Sequence, residues 1–495
     1  MHHSQNIINQ KLKAIFPINL IELAELLFYL FLAFSIIYYA GAGLSRLVFL
    51  IVLPVVWYSK RDNFWLVFFF ILMEMPGGLF SGGEKDDPFR LPIYTLISGI
   101  SFTIQELFII TLLVKALFFS KIRKLGSDFL FKRELKILGN YLLLLLFISP
   151  LMGMSFDSMS QAFKIVLPLT LLYSLPRIIN TEEKIIGFLK LLFPFAFFTL
   201  GLQVFELMHG QQVISMVKPG VTAVQGVFST TESGGWIRAI EMGHAMLITF
   251  TGSLWLLVSK RQNFSRYYLM LVNILSFLVV FMSGTRSWII AFAAGYFIFI
   301  FITGIRSSAI YIKFVIVMLI VFFLINIIPT IHNQVLNALS RVKTVETVVQ
   351  GDITGGGTIS RYDAKAPGVM RAFWSSSVIF GAGFSDLFFD YSNGHIGYHN
   401  ILLNAGITGL LIFFLIIAEI LSYPFRLSGK FRGHNKTAFK VSVIPLIILL
   451  IINTGTQTIG YTPLGINRVI LIFYALFLIE LSRKIYFDQF RLAAN

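Results

Sequence analysis

Three side chains in the C-terminal half have the types and surroundings to act on an anionic substrate: Arg286, Arg361 and His399. Arg286 lies in Ser283-Gly-Thr-Arg-Ser-Trp288, between two apolar stretches with almost no loop to hold it. An arginine that close to lipid needs a partner or a function. The hydroxyls of Ser283, Thr285 and Ser287, and the N–H groups of a helix starting here, favour anion binding. The plainer reading is an arginine snorkelling to the interface. Arg361 follows the glycine run Gly355–Gly357, and a guanidinium suits a two-point grip on phosphate oxygens. By itself it is an ordinary loop arginine, with Arg371 its nearest competitor. His399 sits where a polar loop becomes an apolar helix, whose N-terminus keeps the ring neutral and able to accept a proton. Asn400 is placed to orient it or to meet a sugar hydroxyl. An interfacial histidine is the alternative, and His395 is a rival.

Two further clusters carry weaker signals. Glu241 and His244, three residues apart, share a helix face and with Arg238 either line a cavity or pair with each other. Glu84, Asp86 and Asp87 are hard oxygen ligands of the kind that hold divalent cations. One short cluster without a histidine does not make a metal centre, and no metal or cofactor is assigned.

These residues need elements to position them, and composition says which. The chain has 495 residues, 56% hydrophobic and 13% charged, with 52 phenylalanines. A water-soluble domain cannot hide that much apolar surface, whereas a multi-spanning membrane protein exposes it to lipid. The expected fold is an all-α transmembrane bundle of about 12–14 spans. Among these spans are 92–119, 160–176, 239–258, 267–283, 288–304, 313–330 and 399–421. The net charge of +16 comes from Lys and Arg clustered in short loops, the positive-inside pattern, and implies contact with anionic lipid rather than nucleic acid. There are no cysteines, which excludes disulfides and thiolate metal sites. The polar N-terminus leads into a span too long for a signal-peptide core and reads as uncleaved.

Lys and Arg alternate consistently if both termini are cytoplasmic. The opposite face then carries 77–91, 207–238, 331–398 and 454–466, and Arg286, Arg361 and His399 all fall on it. Four segments follow: N-terminal spans (1–206), spans carrying the first arginine motif (207–330), a long loop (331–398) and C-terminal spans (399–495). The loop has two amphipathic stripes, Val335, Leu336, Leu339, Val342, Val345 and Val349, then Val369, Met370, Phe373, Trp374 and Val378. They predict helices on the membrane surface or capping the bundle. Flexible Gly351–Gly357 separates them. Gly406 and Gly409 give the helix after His399 a small-residue packing face. Neither an internal repeat nor a broken helix is legible.

Residues 220–425 resemble the O-antigen ligase/polymerase family of bacterial inner-membrane glycosyltransferases. The likeness rests on Ser283 and Arg286, on Ser360-Arg361 after a glycine-rich stretch, on Phe380-Gly-Ala-Gly-Phe384, and on His399-Asn400 followed by Leu403, Gly406 and Gly409. The resemblance implies glycans carried on undecaprenyl pyrophosphate. Arg286 and Arg361 would bind the pyrophosphate and stabilise its charge as the glycosidic bond breaks, and His399 would be the general base for the acceptor hydroxyl. Ser283, Asn400, Arg371, Arg238 and His244 are the expected substrate-binding residues. The transfer is expected to be inverting and metal-independent, at the periplasmic face of the inner membrane. Polymerase activity, with a second lipid-linked repeat unit as acceptor and a chain-length regulator as partner, is favoured over ligation to the lipid A core. A flippase for the same lipid-linked glycan is the reading from a different class.

Overall fold

The computed structural model describes residues 19–39, 41–74, 94–97, 100–119, 129–210, 228–231, 234–237, 240, 242–259, 264–304, 316, 328–349, 358–429, 433–455, 459 and 466–494. In chain order its helices are α1 (Leu20–Tyr39), α2 (Gly41–Tyr58), α3 (Asp62–Glu74), α4 (Ile104–Phe118), α5 (Lys132–Ile148), α6 (Phe156–Leu169), α7 (Leu171–Ile178), α8 (Glu182–Leu192) and α9 (Pro194–His209). They continue with α10 (Gly243–Ser259), α11 (Arg266–Met282), α12 (Arg286–Thr303), α13 (Pro329–Val349), α14 (Thr358–Ser375), α15 (Asp386–Tyr391), α16 (Gly397–Ser428), α17 (Gly433–Val441), α18 (Ile444–Ile452) and α19 (Ile466–Ala494). Two short antiparallel hairpins interrupt this helical chain: β1 (Tyr94–Ile97) with β2 (Ile100–Phe102), and β3 (Phe228–Thr231) with β4 (Gly234–Ile237).

Among the described residues, five helical stretches are long and apolar enough to cross a membrane: Lys132–Met152, Glu182–His209, Arg286–Thr303, Gly397–Ser428 and Asn435–Ile452. Arg46–Tyr58, Gly243–Ser259 and Arg266–Met282 are shorter apolar helices. The apolar faces that lipid would cover remain bare, as at Phe147, Phe297 and Phe301.

Several expected elements are built differently. The stretch 92–119, expected as one span, is a hairpin followed by α4. Thr103 stops the strand, because its side chain accepts the Gln105 N–H while Glu106 reaches back to the Thr103 N–H, a reciprocal cap that starts a helix there. The span expected at 160–176 is two helices with a joint at Thr170, two residues after Pro168, whose ring cannot continue the hydrogen-bond ladder. The segment 331–398 contains helices, as expected: most of α13 together with α14, α15 and the turns after α14. The span expected at 313–330 and the segments 77–91 and 351–357 lie almost entirely outside the described residues.

Two compact units are formed from alternating stretches of chain. The first comprises residues 1–91, 181–341 and 431–444, and the second 92–180, 342–430 and 445–495. In the first, α11 packs against α9 and α10, and α17 against α10. In the second, α7 packs against α4 and α19, and α16 against α5 and α14.

Candidate active site

In the first unit the candidate residues gather where α11 gives way to α12. Ser283 ends α11, is fully buried, and donates its hydroxyl to the Val280 carbonyl at 2.6 Å. Gly284 has φ +60°, a conformation that favours glycine and lets the chain reverse at once. The Thr285 N–H donates to Ser283 Oγ at 3.3 Å, and α12 then begins at Arg286. Ser283 therefore acts inside the turn, fixing where Arg286 leaves the backbone. Arg286 itself is half-buried at the first position of a membrane-length helix.

A second device holds the same turn. Gln334 of α13 is 1% exposed. Its Oε1 accepts the Ile237 N–H at 3.1 Å, and its Nε2 donates to the Ile237 carbonyl at 2.9 Å and to the carbonyl of Met282. One amide thus ties α13 to the end of β4 and to the last residue of α11. Around it Leu207, Ile237, Met282, Ile331 and Val335 form an apolar cluster, joined by Leu339. Of the first amphipathic stripe, Val335 is buried and Leu339 packs on this cluster, but Leu336 is exposed, and the side chains of Val342, Val345 and Val349 lie outside those described.

His244, in the first turn of α10, pairs with Glu74 among the described residues. Its Nδ1 lies 2.8 Å from Glu74 Oε1, and its backbone N–H donates to Glu74 Oε2 at 3.1 Å. Trp288, two residues past Arg286, meets the imidazole edge-on, with centroids 5.8 Å apart. The sequence reading missed Glu74; an ionisable residue closing the apolar run Trp65–Met73 was the available signal. It also missed Thr199, Gln203 and Glu206, a fully buried polar row on α9 at helical spacing. Gln203 Nε2 donates to the Val279 carbonyl of α11 at 3.3 Å. Arg238, Glu241, Glu84, Asp86 and Asp87 lie outside the described residues.

The second unit holds the remaining candidates. Arg361 stands on the first turn of α14, a helix rather than a loop. Arg371 is exposed on the same helix, about 15 Å further along its axis. The two therefore stand at different positions along α14. His399 is half-buried, the third residue of α16, and α14 packs against that helix. Asn400 is fully buried and closes the turn before α16: its Oδ1 accepts the Asn393 N–H at 2.9 Å and its Nδ2 donates to the Asn393 carbonyl at 2.5 Å. The Tyr398 hydroxyl donates to the Leu450 carbonyl at 2.9 Å. A Cβ at Gly397 would stand 2.4 Å from the Asn453 carbonyl oxygen. The start of α16 is therefore pinned on both sides of His399.

Gly406 does not contribute to a continuous small-residue face. It has φ +65° and ψ −172°, so α16 is broken there. The Phe380–Phe384 segment fills the break. Ala382 N–H donates to the Leu403 carbonyl at 2.7 Å and Gly383 N–H to the Asn404 carbonyl at 2.9 Å. In the other direction Ile407 N–H donates to the Val378 carbonyl at 3.0 Å. The Tyr141 hydroxyl takes the Ala405 carbonyl at 2.6 Å. Gly409 does serve close packing, since a Cβ there would meet Tyr141 Cε1 at 2.7 Å.

Ser283, Arg286 and His244 thus fall in the first unit, and Arg361, Arg371, His399 and Asn400 in the second. The first offers an arginine at a helix start, on a braced turn, and a carboxylate-bound imidazole. The second offers an anchored histidine beside a helix with two arginines. No protein-family model matches the chain, and no curated protein matches its sequence.

Proposed function

We propose that the chain is a multi-spanning glycosyltransferase of the bacterial inner membrane. It moves a glycan from an undecaprenyl-pyrophosphate donor to a sugar hydroxyl of a second lipid-linked repeat unit at the periplasmic face. The observation that carries this reading is the placement of Arg286 at the start of a membrane-length helix, on a turn held by Ser283, Gly284 and Gln334. A cation at the positive end of a helix dipole favours an anion. At a membrane boundary the matching anion is the headgroup of a lipid-linked substrate. By the family resemblance, Arg286 and Arg361 would each serve the pyrophosphate and stabilise it as a leaving group. His399 takes the acceptor hydroxyl proton as that oxygen attacks the anomeric carbon from the face opposite the leaving group. The 12–14-span topology with cytoplasmic termini, and α13 and α14 as parts of a periplasmic cover, belong to the same proposal. The family resemblance of residues 220–425 supports it.

Ligation to the lipid A core uses the same chemistry and differs only in the acceptor. Transport of the lipid-linked glycan draws on one feature, the break in α16, since transporters place broken helices at their binding sites. Here the backbone groups flanking Gly406 are taken by the 378–383 segment and by Tyr141, which favours a structural break over a substrate cradle.

The test is a lipopolysaccharide gel from the native host with this gene deleted and then restored with variants. Core bearing a single repeat unit in the deletion means polymerase. Bare core, with long glycan still on its carrier, means ligase. His399→Ala and Arg286→Ala should fail to restore the ladder at normal protein levels, and Arg286→Lys should be impaired because an ammonium lacks the planar two-point fork of a guanidinium. Full restoration by His399→Ala or Arg286→Ala would refute the reading.

A further inference from the structure

Glu74 and His244 lie 170 positions apart in sequence and meet through two contacts, one to the ring and one to the backbone N–H. The Glu74 side chain is 5% exposed and that of His244 20%. A carboxylate facing Nδ1 keeps a proton on that nitrogen, which settles the tautomer: in the neutral ring Nε2 carries a lone pair and no hydrogen. Among the described residues Nε2 has no hydrogen-bond partner and it is not among the buried unsatisfied atoms, so it reaches the surface of the unit. Trp288 is 4% exposed and walls one side of the imidazole. A Cβ at Gly243 would stand 3.1 Å from Trp288 Cη2, so glycine is what lets α10 approach this wall.

We propose that Glu74 and His244 form a carbohydrate-hydroxyl subsite beside the Arg286 turn, with Glu74 fixing the ring and Nε2 accepting a hydrogen bond from a sugar hydroxyl. The ligand class follows from the tautomer. A lone pair at Nε2 attracts an O–H donor and repels a phosphate oxygen, so this group serves the glycan while the arginine serves the pyrophosphate. His244 is a binding residue here and Glu74 its positioning residue. No proton is transferred and His399 keeps its role. The inference rests on the glycan-transfer reading.

The test uses the full chain in lipid vesicles, with lipid-linked repeat units extracted from the native host, and follows release of undecaprenyl pyrophosphate. His244→Ala should raise KM about tenfold while kcat changes less than about twofold, as expected for one lost hydrogen bond to substrate. Glu74→Gln should shift KM in the same direction by less, because glutamine has one acceptor oxygen where Glu74 uses two, one at Nδ1 and one at the backbone N–H. Glu74→Asp should recover part of the loss. An unchanged KM with a lowered thermal midpoint in His244→Ala would mean a purely structural pair and overturn the proposal. Absence of release by the wild-type protein would overturn the glycan-transfer reading instead. The subsite is then judged by binding: repeat units that stabilise wild type but not His244→Ala support it, and equal stabilisation overturns it. Inorganic pyrophosphate that stabilises wild type but not His244→Ala would overturn the hydroxyl assignment.

Discussion

Replacing Gly406 by alanine should unseat the junction at the centre of the second unit. Its φ of +65° and ψ of −172° fall in a region open essentially to glycine alone, and holding another residue there costs about 1–3 kcal/mol. The new Cβ would also stand 2.2 Å from the Ile379 carbonyl oxygen and 2.6 Å from the Gly381 nitrogen. Both are backbone atoms that cannot rotate away. Relief requires the 378–383 segment to retreat, which strains hydrogen bonds such as Ala382 N–H to the Leu403 carbonyl and Ile407 N–H to the Val378 carbonyl, each worth about 1 kcal/mol. The sum is about 4 kcal/mol, a sizeable share of the ~5–15 kcal/mol that keeps a typical domain folded. At about 2 °C per kcal/mol the thermal midpoint falls by about 8 °C. The assay is a melt of the detergent-solubilised chain read by size-exclusion fluorescence, with Gly368→Ala as control. Gly368 is helical, with nothing within 4 Å of its Cβ position, so alanine there should be neutral or stabilising. A Gly406→Ala protein melting within about 2 °C of wild type would refute the argument.

Gln334→Leu should destabilise the first unit by about 3 kcal/mol, since it strands the buried Ile237 N–H and the carbonyls of Ile237 and Met282; a thermal melt checks it, and Gln334→Glu should not rescue because it loses the donor. Asp386 carries a pH dependence. Hydrogen bonds from Ser158 and Ser155 hold its carboxyl below the usual carboxylate range. A group depressed in the folded state adds stability that is present above its unfolded value of about 3.9 and is lost as pH falls through the folded value. Asp386→Asn should therefore be less stable than wild type at neutral pH, and the gap should close in acid, read from melts taken across that range.

The sequence by itself determined what depends on composition and local periodicity. An apolar chain with basic loops implies membrane-length helices, and the structure contains five such stretches among its described residues. The Ser283–Arg286 turn was legible because a polar motif between two apolar runs has few ways to fold. The burial of Val335 and Leu339 was legible because helical spacing reports which face is buried, while Leu336 of the same stripe is exposed. Neither source reports contacts between distant parts of the chain. The pairing of His244 with Glu74, and the clamp of Gln334 on Ile237 and Met282, depend on helices meeting across 170, 97 and 52 positions. Local pattern carries no record of such meetings. Gly406 and Gly409 look alike in sequence, yet one breaks a helix and the other admits a tyrosine, because the partner's backbone decides which freedom of glycine is used. The interleaving of three stretches into each unit is likewise a product of packing. Apolar helices carry little to say which neighbour they prefer; shape and a few buried polar groups choose, and those act only once the chain is folded.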